Sequence, residues 1–426
     1  MRKHLLSIFI LFTLLSTVYG ANEFAVCTVR GIGSTTYSQL HGEIFLGYDG
    51  NGNLFVDAQL VGTMFTANAL VVHNTGDYSD TTFSSSSIFN PNGNVFGCDV
   101  IGVLGDVEPT ATTLTASNRK IEGTTSMIGM TLAVYQNALG CSTGSVGYAT
   151  MGPIIGKCII GIGNTNASLT PRPVTFTPNI TNGGVNGASY GNADSDTAQS
   201  AYVRMFPTSK FPNTVTPFTG SIFFELLDKV TGDIRITASF VALNIGVNAT
   251  HGFHIHTFGD QINVNGLSLG PHWQSKTPVQ THNLPAVTGR HWGDLGNLCI
   301  YDSFNVTYYK YTTTYIPYTN LNNIIGRGIA IHAKADNGTD TSFGDRIAYG
   351  TIGMIVNGQD PDVPISIPNS IDFPIEPTCE DLPIQTTTTS TTTDSSTTGE
   401  PSFAIKLKST FFVLVSIVIS IAIIQF

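Results

Sequence analysis

The sequence predicts an all-β protein with two domains, and three observations lead to that prediction. Charged residues make up only 11% of the chain, while Gly, Ser, Thr and Asn are abundant, which is typical of short strands joined by turns. Many short segments alternate apolar and polar side chains, which is the period of a half-buried strand. A length of 426 residues exceeds that of one ordinary sandwich domain.

Residues 1–20 predict a signal peptide. A basic start at residues 1–4 precedes the apolar run of residues 5–15, and the chain offers a cleavage point at Gly20-Ala21. A buried core helix, the alternative, is disfavoured at the extreme N-terminus. Secretion implies an oxidising compartment in which disulfides persist.

The middle of the chain divides into two domains and a linker. Residues 21–158 contain alternating segments such as 39–46 and 54–61, which predict antiparallel strands. Residues 159–199 are rich in Asn, Gly, Thr and Pro and predict a linker. A second set of alternating segments predicts a second β-domain over residues 200–358.

The C-terminal part predicts attachment to a membrane surface. Residues 359–399 form an extension and a Ser/Thr-rich stalk suited to O-glycosylation. Residues 400–426 match a removable GPI-attachment signal, because a polar spacer and an apolar tail follow small residues near Ser396 and no basic segment comes after. A retained transmembrane anchor is the alternative. N-glycosylation sequons begin at Asn166, Asn179, Asn248, Asn305 and Asn337.

The formal net charge of −10 narrows the range of partners. An acidic balance argues against binding of nucleic acid, which carries charge of the same sign. Because the chain as a whole would also repel a small anion, an anionic substrate would need positive charge placed at its site.

Histidines indicate a metal site in the second domain. His254 and His256 project from the same face of a predicted strand, and two adjacent neutral imidazoles suit copper, zinc or nickel. A lone His-x-His would more often be a pair satisfied by hydrogen bonds. Six of the ten histidines, however, fall between residues 254 and 332. The further motifs are Gly270-Pro-His272-Trp, Thr281-His282-Asn, His291-Trp-Gly-Asp294, Ile331-His332-Ala-Lys-Ala-Asp336 and Arg346-Ile-Ala-Tyr-Gly.

In this order the motifs resemble those of the Cu/Zn superoxide dismutase family, from about Ala201 to Val356. The resemblance implies Greek-key β-sandwich or barrel domains, bound copper and zinc, and conversion of superoxide to dioxygen and hydrogen peroxide. It assigns copper to His254, His256, His272 and His332. It assigns zinc to His272, His282, His291 and Asp294.

The chemistry of these ligand sets agrees with the resemblance. Four nitrogens suit tetragonal Cu(II), and three imidazoles with one carboxylate make a closed tetrahedral zinc site. The family reaction uses His272, which bridges both metals as an imidazolate, to take up a proton and return it as peroxide forms. Asp336 would orient a ligand of each metal, or else be an ordinary turn aspartate. Arg346 would draw in and dock superoxide, or else pair with Asp345 or Asp340.

Three departures from the family pattern stand out. The segment between His332 and Arg346 is shorter than the family's charged loop. Bulky tryptophans, Trp273 and Trp292, follow two of the ligands. The cysteine pair that pins the zinc loop in family members is absent, and its positions hold Gly266 and Tyr349. Zinc itself, or packing of the aromatic residues, would then have to hold that loop.

The first domain resembles a repeat of the second without its ligands. In this comparison His73 matches His256, while Val71 and Ile88 replace His254 and His272. Gly105-Asp106 matches Gly293-Asp294, with Val103 for His291; Tyr135 matches His332; Ser145 matches Arg346. An unrelated β-domain is the alternative.

Six cysteines in a secreted chain predict disulfides, and no C-x-x-C spacing supports a thiolate zinc site. The sequence alone does not fix their pairing. By analogy to the family fold, Cys27 and Cys158 would lie on neighbouring strands and Cys98 and Cys141 on loops that meet. Cys299 and Cys379 would remain as a pair.

The resemblance therefore predicts a superoxide dismutase on the extracellular face of the plasma membrane, either as a homodimer or as an intrachain pseudo-dimer. The alternative is a non-enzymatic copper-binding or adhesion protein on the same scaffold. The Arg346 position argues against that alternative, because metal storage needs no guide for anions.

Overall fold

The structure is a computed structural model whose described residues form two β-sheets. It describes residues 24–32, 39–48, 53–62, 67–78, 87–93, 97–108, 113–116, 119, 121, 126–140, 148–164, 200–212, 219–228, 230, 233–241, 250–274, 279–285, 287–299, 307–313, 321–339 and 343–355. Both sheets belong to one compact unit, Met1–Leu382. The predicted signal peptide, stalk, attachment signal and all sequons except Asn337 lie outside the described residues. Within them, no helix is long and apolar enough to cross a membrane.

The first sheet consists of nine strands. They are β1 (Ala25–Gly31), β2 (His41–Tyr48), β3 (Leu54–Val61), β4 (Asn68–His73), β5 (Val103–Val107), β6 (Thr113–Ala116), β7 (Thr131–Tyr135), β8 (Ile154–Ile159) and β9 (Gly161–Ile162). Their spatial order is β5-β4-β7-β8-β1-β2-β3-β6, and β9 also pairs with β1. The last strand lies within the segment that composition assigned to the linker, because two apolar residues between glycines carry little strand signal.

The second sheet repeats this arrangement strand for strand. Its strands are β10 (Ser200–Pro207), β11 (Thr219–Asp228), β12 (Asp233–Val241), β13 (Thr250–His256), β14 (Asp294–Cys299), β15 (Thr307–Thr313), β16 (Gly328–His332), β17 (Arg346–Thr351) and β18 (Gly353–Ile355). The order β14-β13-β16-β17-β10-β11-β12-β15, with β18 against β10, is that of the first sheet shifted by nine strands. The edge strands β5 and β6, and likewise β14 and β15, approach each other. Each sheet therefore curls on itself, and the prediction of two β-barrel or sandwich domains is confirmed.

Strand alternation explains how β13 serves the core and the candidate site together. Phe253 and Ile255 are fully buried in the main apolar core. His254 and His256 point to the other face, as the period of two requires. They too have no exposed surface. Both faces of β13 are therefore covered, and the imidazoles are held away from water.

The two sheets meet through backbone hydrogen bonds that repeat with approximate two-fold symmetry. A glycine lies at each point of closest approach: a Cβ on Gly76 would come within 2.5 Å of the Gly353 Cα, and a Cβ on Gly259 within 3.0 Å of the Gly161 Cα. The bonds run from Gly76 N to Met354 O, Met354 N to Gly129 O, Gly259 N to Ile162 O and Ile162 N to Gly326 O. Side chains at these glycines would force the sheets apart.

A disulfide joins Cys27 on β1 to Cys158 on β8, as the family analogy predicted. It links the two neighbouring strands at the centre of the first sheet. At the equivalent place in the second sheet, Val203 on β10 packs against Gly350 on β17. Cys98 is also disulfide-bonded. Its expected partner Cys141, the Cys299 side chain and Cys379 lie outside the described part of the chain.

Candidate metal centre

The histidines and the aspartate singled out in the sequence come together in one cluster of the second sheet. Strand β13 supplies two histidines, β16 ends at one, and β14 begins with the aspartate. The long connection between β13 and β14 supplies the other three. The cluster consists of His254, His256, His272, His282, His291, His332 and Asp294, of which all but His291 are buried.

Four buried imidazoles of this cluster each carry a ring nitrogen for which the described part of the chain offers no hydrogen-bond partner. One ring nitrogen from each lies within 4.8 Å of one from every other. Buried polar atoms are almost always hydrogen-bonded, so four neighbouring exceptions need an explanation. Imidazole nitrogens are among the ligands that copper takes in proteins. The atoms are His254 Nδ1, His256 Nε2, His272 Nε2 and His332 Nε2.

The opposite ring nitrogen of these imidazoles is hydrogen-bonded, which fixes the orientation of each ring. His256 Nδ1 donates to the Gly270 carbonyl oxygen at 3.0 Å, and His332 Nδ1 donates to that of Gly344 at 3.1 Å. His254 Nε2 donates to Asp336 Oδ2 at 2.8 Å. Such bonds leave the free nitrogen of each ring unprotonated and available as a ligand.

Burial also sets the charge of these four rings. It lowers the pKa of His254, His256 and His332, and it lowers the pKa of His272 to about 3. All four imidazoles are therefore neutral at pH 7, which is the form that binds a metal.

Asp294 collects three imidazoles around one carboxylate oxygen. Its Oδ1 lies 2.7 Å from His272 Nδ1, 3.1 Å from His282 Nδ1 and 3.4 Å from His291 Nδ1. Its Oδ2 accepts the backbone N–H groups of Asn283 and His291. Three nitrogens and one carboxylate oxygen form the donor set of a closed zinc site. One ligand atom from each of His254, His272, His282 and Asp294 lies within 4.8 Å of the others. His291 does not belong to this group, although its ring contacts Asp294.

Asp336 connects the two ligand sets. Its Oδ2 accepts the bond from His254 Nε2, and its Oδ1 accepts one from His282 Nε2 at 2.9 Å. Asn297 holds it in place through hydrogen bonds of 2.7 and 2.8 Å with the Asp336 backbone. The same Oδ1 also accepts the Gly338 N–H at 2.8 Å, so Asp336 closes a local turn and contacts a histidine of each ligand set.

The two carboxylates control the charge of His282. Burial lowers the pKa of this imidazole, but the hydrogen bonds and charges of Asp294 and Asp336 outweigh burial and raise the pKa to about 10. Burial would raise the pKa of both carboxyl groups, but their histidine partners hold it well below the usual range. The carboxylates are therefore ionised at pH 7 and attract a cation.

Arg346 stands at the start of β17 beside the unpartnered nitrogens. Its Nη1 donates to the Gly266 carbonyl oxygen at 2.6 Å, and its Nη2 donates to that of Gly270 at 2.5 Å. Burial lowers its pKa to about 10, so it stays charged at pH 7. Its neighbour Asp345 pairs with Lys210, and not with Arg346. The other expected alternative partner, Asp340, lies outside the described residues.

Phe343 lines the centre and was missed by the sequence analysis. Its ring centroid lies 4.5 Å from that of His332, 5.0 Å from His272 and 5.1 Å from His254. An apolar wall of this kind limits water at a metal site. A single aromatic residue in a loop of Gly, Asp, Thr and Ser was the available signal, because such a side chain is expected to be buried.

The equivalent place in the first sheet holds an apolar cluster. Val71, Ile88, Val103, Tyr135 and Leu139 pack together there. The strand pairings put the first four at the positions of His254, His272, Asp294 and His332 respectively. Leu139 corresponds to Asp336, because its N–H donates to Asp106 as that of Asp336 donates to Asn297. The retained His73 is hydrogen-bonded through its ring to Ser87 Oγ at 2.8 Å and to Tyr135 Oη at 2.9 Å.

Two of the predicted correspondences between the repeats are wrong. Val71 pairs with Val103 as His254 pairs with Asp294, so Val103 takes the place of Asp294. Asp106 corresponds instead to Asn297, and its carboxylate accepts backbone N–H groups of the loop that contains Leu139. The shared Gly-Asp dipeptide was misleading, because each strand contains a bulge that the sequence does not mark.

The second error concerns the arginine position. Ile154 pairs with Tyr135 as Arg346 pairs with His332, so Ile154 takes the place of Arg346. The predicted counterpart, Ser145, lies outside the described residues. An isoleucine cannot act as a guide for anions, and among the described residues of the first sheet His73 alone matches a residue of the proposed copper set.

Comparison with known proteins gives a consistent result. The sequence model of the family described as copper/zinc superoxide dismutase matches residues 218–352. The Cu-Zn superoxide dismutase A of Xenopus laevis is 38% identical over 145 residues, which make up 32% of this chain and 89% of that protein.

Two longer relatives come from Dictyostelium discoideum. Its extracellular Cu-Zn superoxide dismutase 2 is 37% identical over 245 residues, which make up 55% of this chain and 52% of that protein. Its extracellular Cu-Zn superoxide dismutase 3 is 31% identical over 269 residues, which make up 62% of this chain and 59% of that protein. The chain thus spans between half and three fifths of the length of these two relatives.

Proposed function

The chain belongs to the copper/zinc superoxide dismutase family, and from this membership we propose that its second sheet carries a working dismutase centre. The centre converts superoxide to dioxygen and hydrogen peroxide. The observation that supports the proposal best is the group of four buried, unpartnered imidazole nitrogens beside a charged arginine. A structural histidine cluster would satisfy these atoms by hydrogen bonds.

The residues present fit both metals. His254, His256, His272 and His332 would hold copper, and His272, His282, His291 and Asp294 would hold zinc. When bound, copper supplies the one-electron redox change and zinc fixes the shared imidazole. The closed donor set around Asp294 suits a structural metal, whereas four nitrogens without a fifth ligand from the described residues leave room for a small substrate.

The chain's own residues then perform three tasks. Arg346 attracts the anion and orients it, because its charge lies in a poorly solvated place. His272 would take up a proton at Nε2 when that nitrogen is released from copper and return it to the reduced product, since its Nδ1 is already engaged on the Asp294 side. Asp336 keeps His254 and His282 in fixed orientations, so that the two metals would sit at a constant separation.

Metal analysis with a superoxide assay tests this function. The secreted protein should contain about one copper and one zinc per chain, because one complete ligand set is present. His254→Ala should lose copper and activity together, while His41→Ala, at an exposed histidine of β2, should retain both. A protein that binds both metals without dismutating superoxide would instead be a copper-binding or adhesion module.

We also propose that the protein acts outside the cell. The predicted signal peptide and C-terminal signal support export and GPI anchoring near Ser396, and both Dictyostelium relatives are named extracellular enzymes. Phosphatidylinositol-specific phospholipase should release the protein from intact cells. Retention in the membrane after treatment that releases a known GPI-anchored marker would favour a transmembrane tail.

A further inference from the structure

The loop of residues 257–272 positions several parts of the proposed centre. Its Gly266 carbonyl oxygen binds the Arg346 guanidinium, and its Gly270 carbonyl oxygen binds both Arg346 and the His256 ring. The loop also ends in His272. Family members pin this loop with a cysteine pair, and here the two positions hold Gly266 and Tyr349. Tyr349 packs against Leu269 of the loop and donates a hydrogen bond to the Gln261 carbonyl oxygen at 3.4 Å, so non-covalent contacts must keep the two carbonyl groups in place.

Asn164, which follows the last strand of the first sheet, contacts this loop directly. Its side-chain Nδ2 donates to the Ser268 carbonyl oxygen at 2.8 Å, midway between Gly266 and Gly270 in the chain. Its backbone N–H donates to Asp260 Oδ2 at 3.1 Å. Asn164, Ser268 and Asp260 are all buried, so water does not compete for these bonds.

The loop itself is tied around the residue that Asn164 holds. The Ser268 hydroxyl donates to the Asp260 carbonyl oxygen at 2.6 Å, and its oxygen accepts the Asn263 N–H at 3.2 Å. Ser268 is thus the point at which both ends of the Asp260–Leu269 turn meet. A hydrogen bond at this point restrains the whole turn, which contains the Gly266 carbonyl group and leads directly into that of Gly270.

Neighbouring contacts from the first sheet support the same loop at its start. Gly259 N donates to the Ile162 carbonyl oxygen at 3.0 Å. Arg30 Nη2 donates to Gln261 Oε1 at 3.2 Å, and Gln261 Nε2 donates in turn to Thr351 Oγ1 at 2.7 Å. The first sheet therefore forms hydrogen bonds to this loop at four residues: 259, 260, 261 and 268.

We propose that the first sheet positions Arg346, through Asn164 and the 257–272 loop, and so does the work of the missing cysteine pair. Asn164 is a positioning residue, because it touches neither substrate nor ligand. The part of this role that concerns Arg346 rests on the proposed function, in which Arg346 docks the anion. The restraint on the loop does not rest on it, and can be measured without metal.

Hydrogen exchange of the metal-free, full-length secreted protein tests the restraint. Asn164→Asp keeps the shape of the side chain but replaces the donor by an acceptor facing the Ser268 carbonyl oxygen. Asn164→Ser is too short to reach and serves as a second variant. Amides of residues 263–270 should exchange about tenfold faster in both variants, since about one buried hydrogen bond is lost.

Asn68→Ala provides the matched control. Asn68 is also a buried asparagine of the first sheet, and its Nδ2 donates to the carbonyl oxygens of Tyr135 and Gln136, away from the second sheet. It should lower the melting temperature without changing exchange in the loop. Equal loop exchange in the wild type and both Asn164 variants would overturn the proposal, as would the same increase in Asn68→Ala.

Anion binding to the metal-loaded protein tests the link to Arg346. Azide, followed by its visible absorption band with copper, should bind severalfold more weakly in the Asn164 variants at unchanged copper and zinc content. Unchanged azide affinity together with faster hydrogen exchange in the loop would overturn the proposal that the loop positions Arg346. A wild-type protein without dismutase activity would disprove the proposed function, but the exchange result would still decide the restraint.

Discussion

At the scale of single residues, the environment and not the residue type decides what each histidine of the chain does. His256 and His73 occupy equivalent strand positions. The ring of His256 keeps a nitrogen without a partner, whereas both nitrogens of His73 are engaged by Ser87 and Tyr135. The same side chain can thus act as a metal ligand in one sheet and as a core residue in the other.

The sequence motifs predicted which residues gather at the centre, because ligand residues recur at fixed places on strands and loops. They did not predict the neighbours that approach from distant segments. Phe343 and Asn164 are examples, since their contacts depend on loop paths that no periodicity describes. Asp106 shows the opposite failure: a matching dipeptide suggested a ligand, but the strand register places it three residues away.

Arg346→Ala should keep both metals and lose about tenfold or more in kcat/KM for superoxide, because the positive charge beside the copper set is removed. The kcat/KM of Arg346→Lys should lie between those of the wild type and Arg346→Ala, because lysine keeps the positive charge but cannot donate to both carbonyl groups. The measurement is the rate as a function of ionic strength. If the alanine variant showed the same salt dependence as the wild type, another group would be guiding the anion.

Phe343→Ala should release copper severalfold faster to a chelator, because the ring packs against three of the four proposed copper ligands. Phe343→Leu preserves apolar volume and should behave nearly as the wild type. The time course of copper transfer to a coloured chelator gives the rate. Equal rates in all three proteins would exclude Phe343 as a barrier to solvent.

At the scale of elements, the strands were more predictable than the connections. Alternation identified most strands, because a strand with one buried face leaves a period of two in its sequence. The counterpart of Arg346 was expected at Ser145 and lies instead at the start of β8, since the run Ile154-Ile-Gly-Lys-Cys does not alternate. Lys157 is almost fully buried there, with its ammonium over the Tyr78 ring, and only tertiary packing accounts for that.

The contact of β2 with the loop after β13 predicts a dependence of stability on pH. Burial, followed by the nearby charge of Asp260, raises the pKa of Glu43 to about 6. In the unfolded chain this carboxyl group has an ordinary, lower pKa. Stability is thus greatest while Glu43 is protonated, and part of it is lost as the pH rises from about 4.5 to about 6.

Glu43→Gln should accordingly stabilise the protein above pH 6 by about 1 kcal/mol and leave it unchanged at pH 4.5. Urea unfolding at pH 4.5 and pH 8 measures the difference. Glu108→Gln, at an exposed position of the same sheet, is the control. A gain of the same size at both pH values would mean that the charge of Glu43 is not responsible.

At the scale of the whole molecule, two sheets of the same topology differ in whether they hold the ligand cluster. The second sheet retains the ligand cluster. The first has replaced it by an apolar cluster but retains the glycines and backbone hydrogen bonds through which the sheets meet. The sequence predicted the repeat from the order of its segments. It did not predict the two-fold contact, because glycine spacing alone does not show which surfaces come together.

Joining both partners of a two-fold contact in one chain removes the effect of dilution. Separate subunits dissociate when their concentration falls below the dissociation constant, whereas the tethered sheets keep a fixed effective concentration. Specific activity and melting temperature should therefore be constant from micromolar to nanomolar protein. Activity that falls on dilution would reveal a second chain in the working enzyme. The contact that supports the proposed centre would therefore not depend on how much of the protein is present.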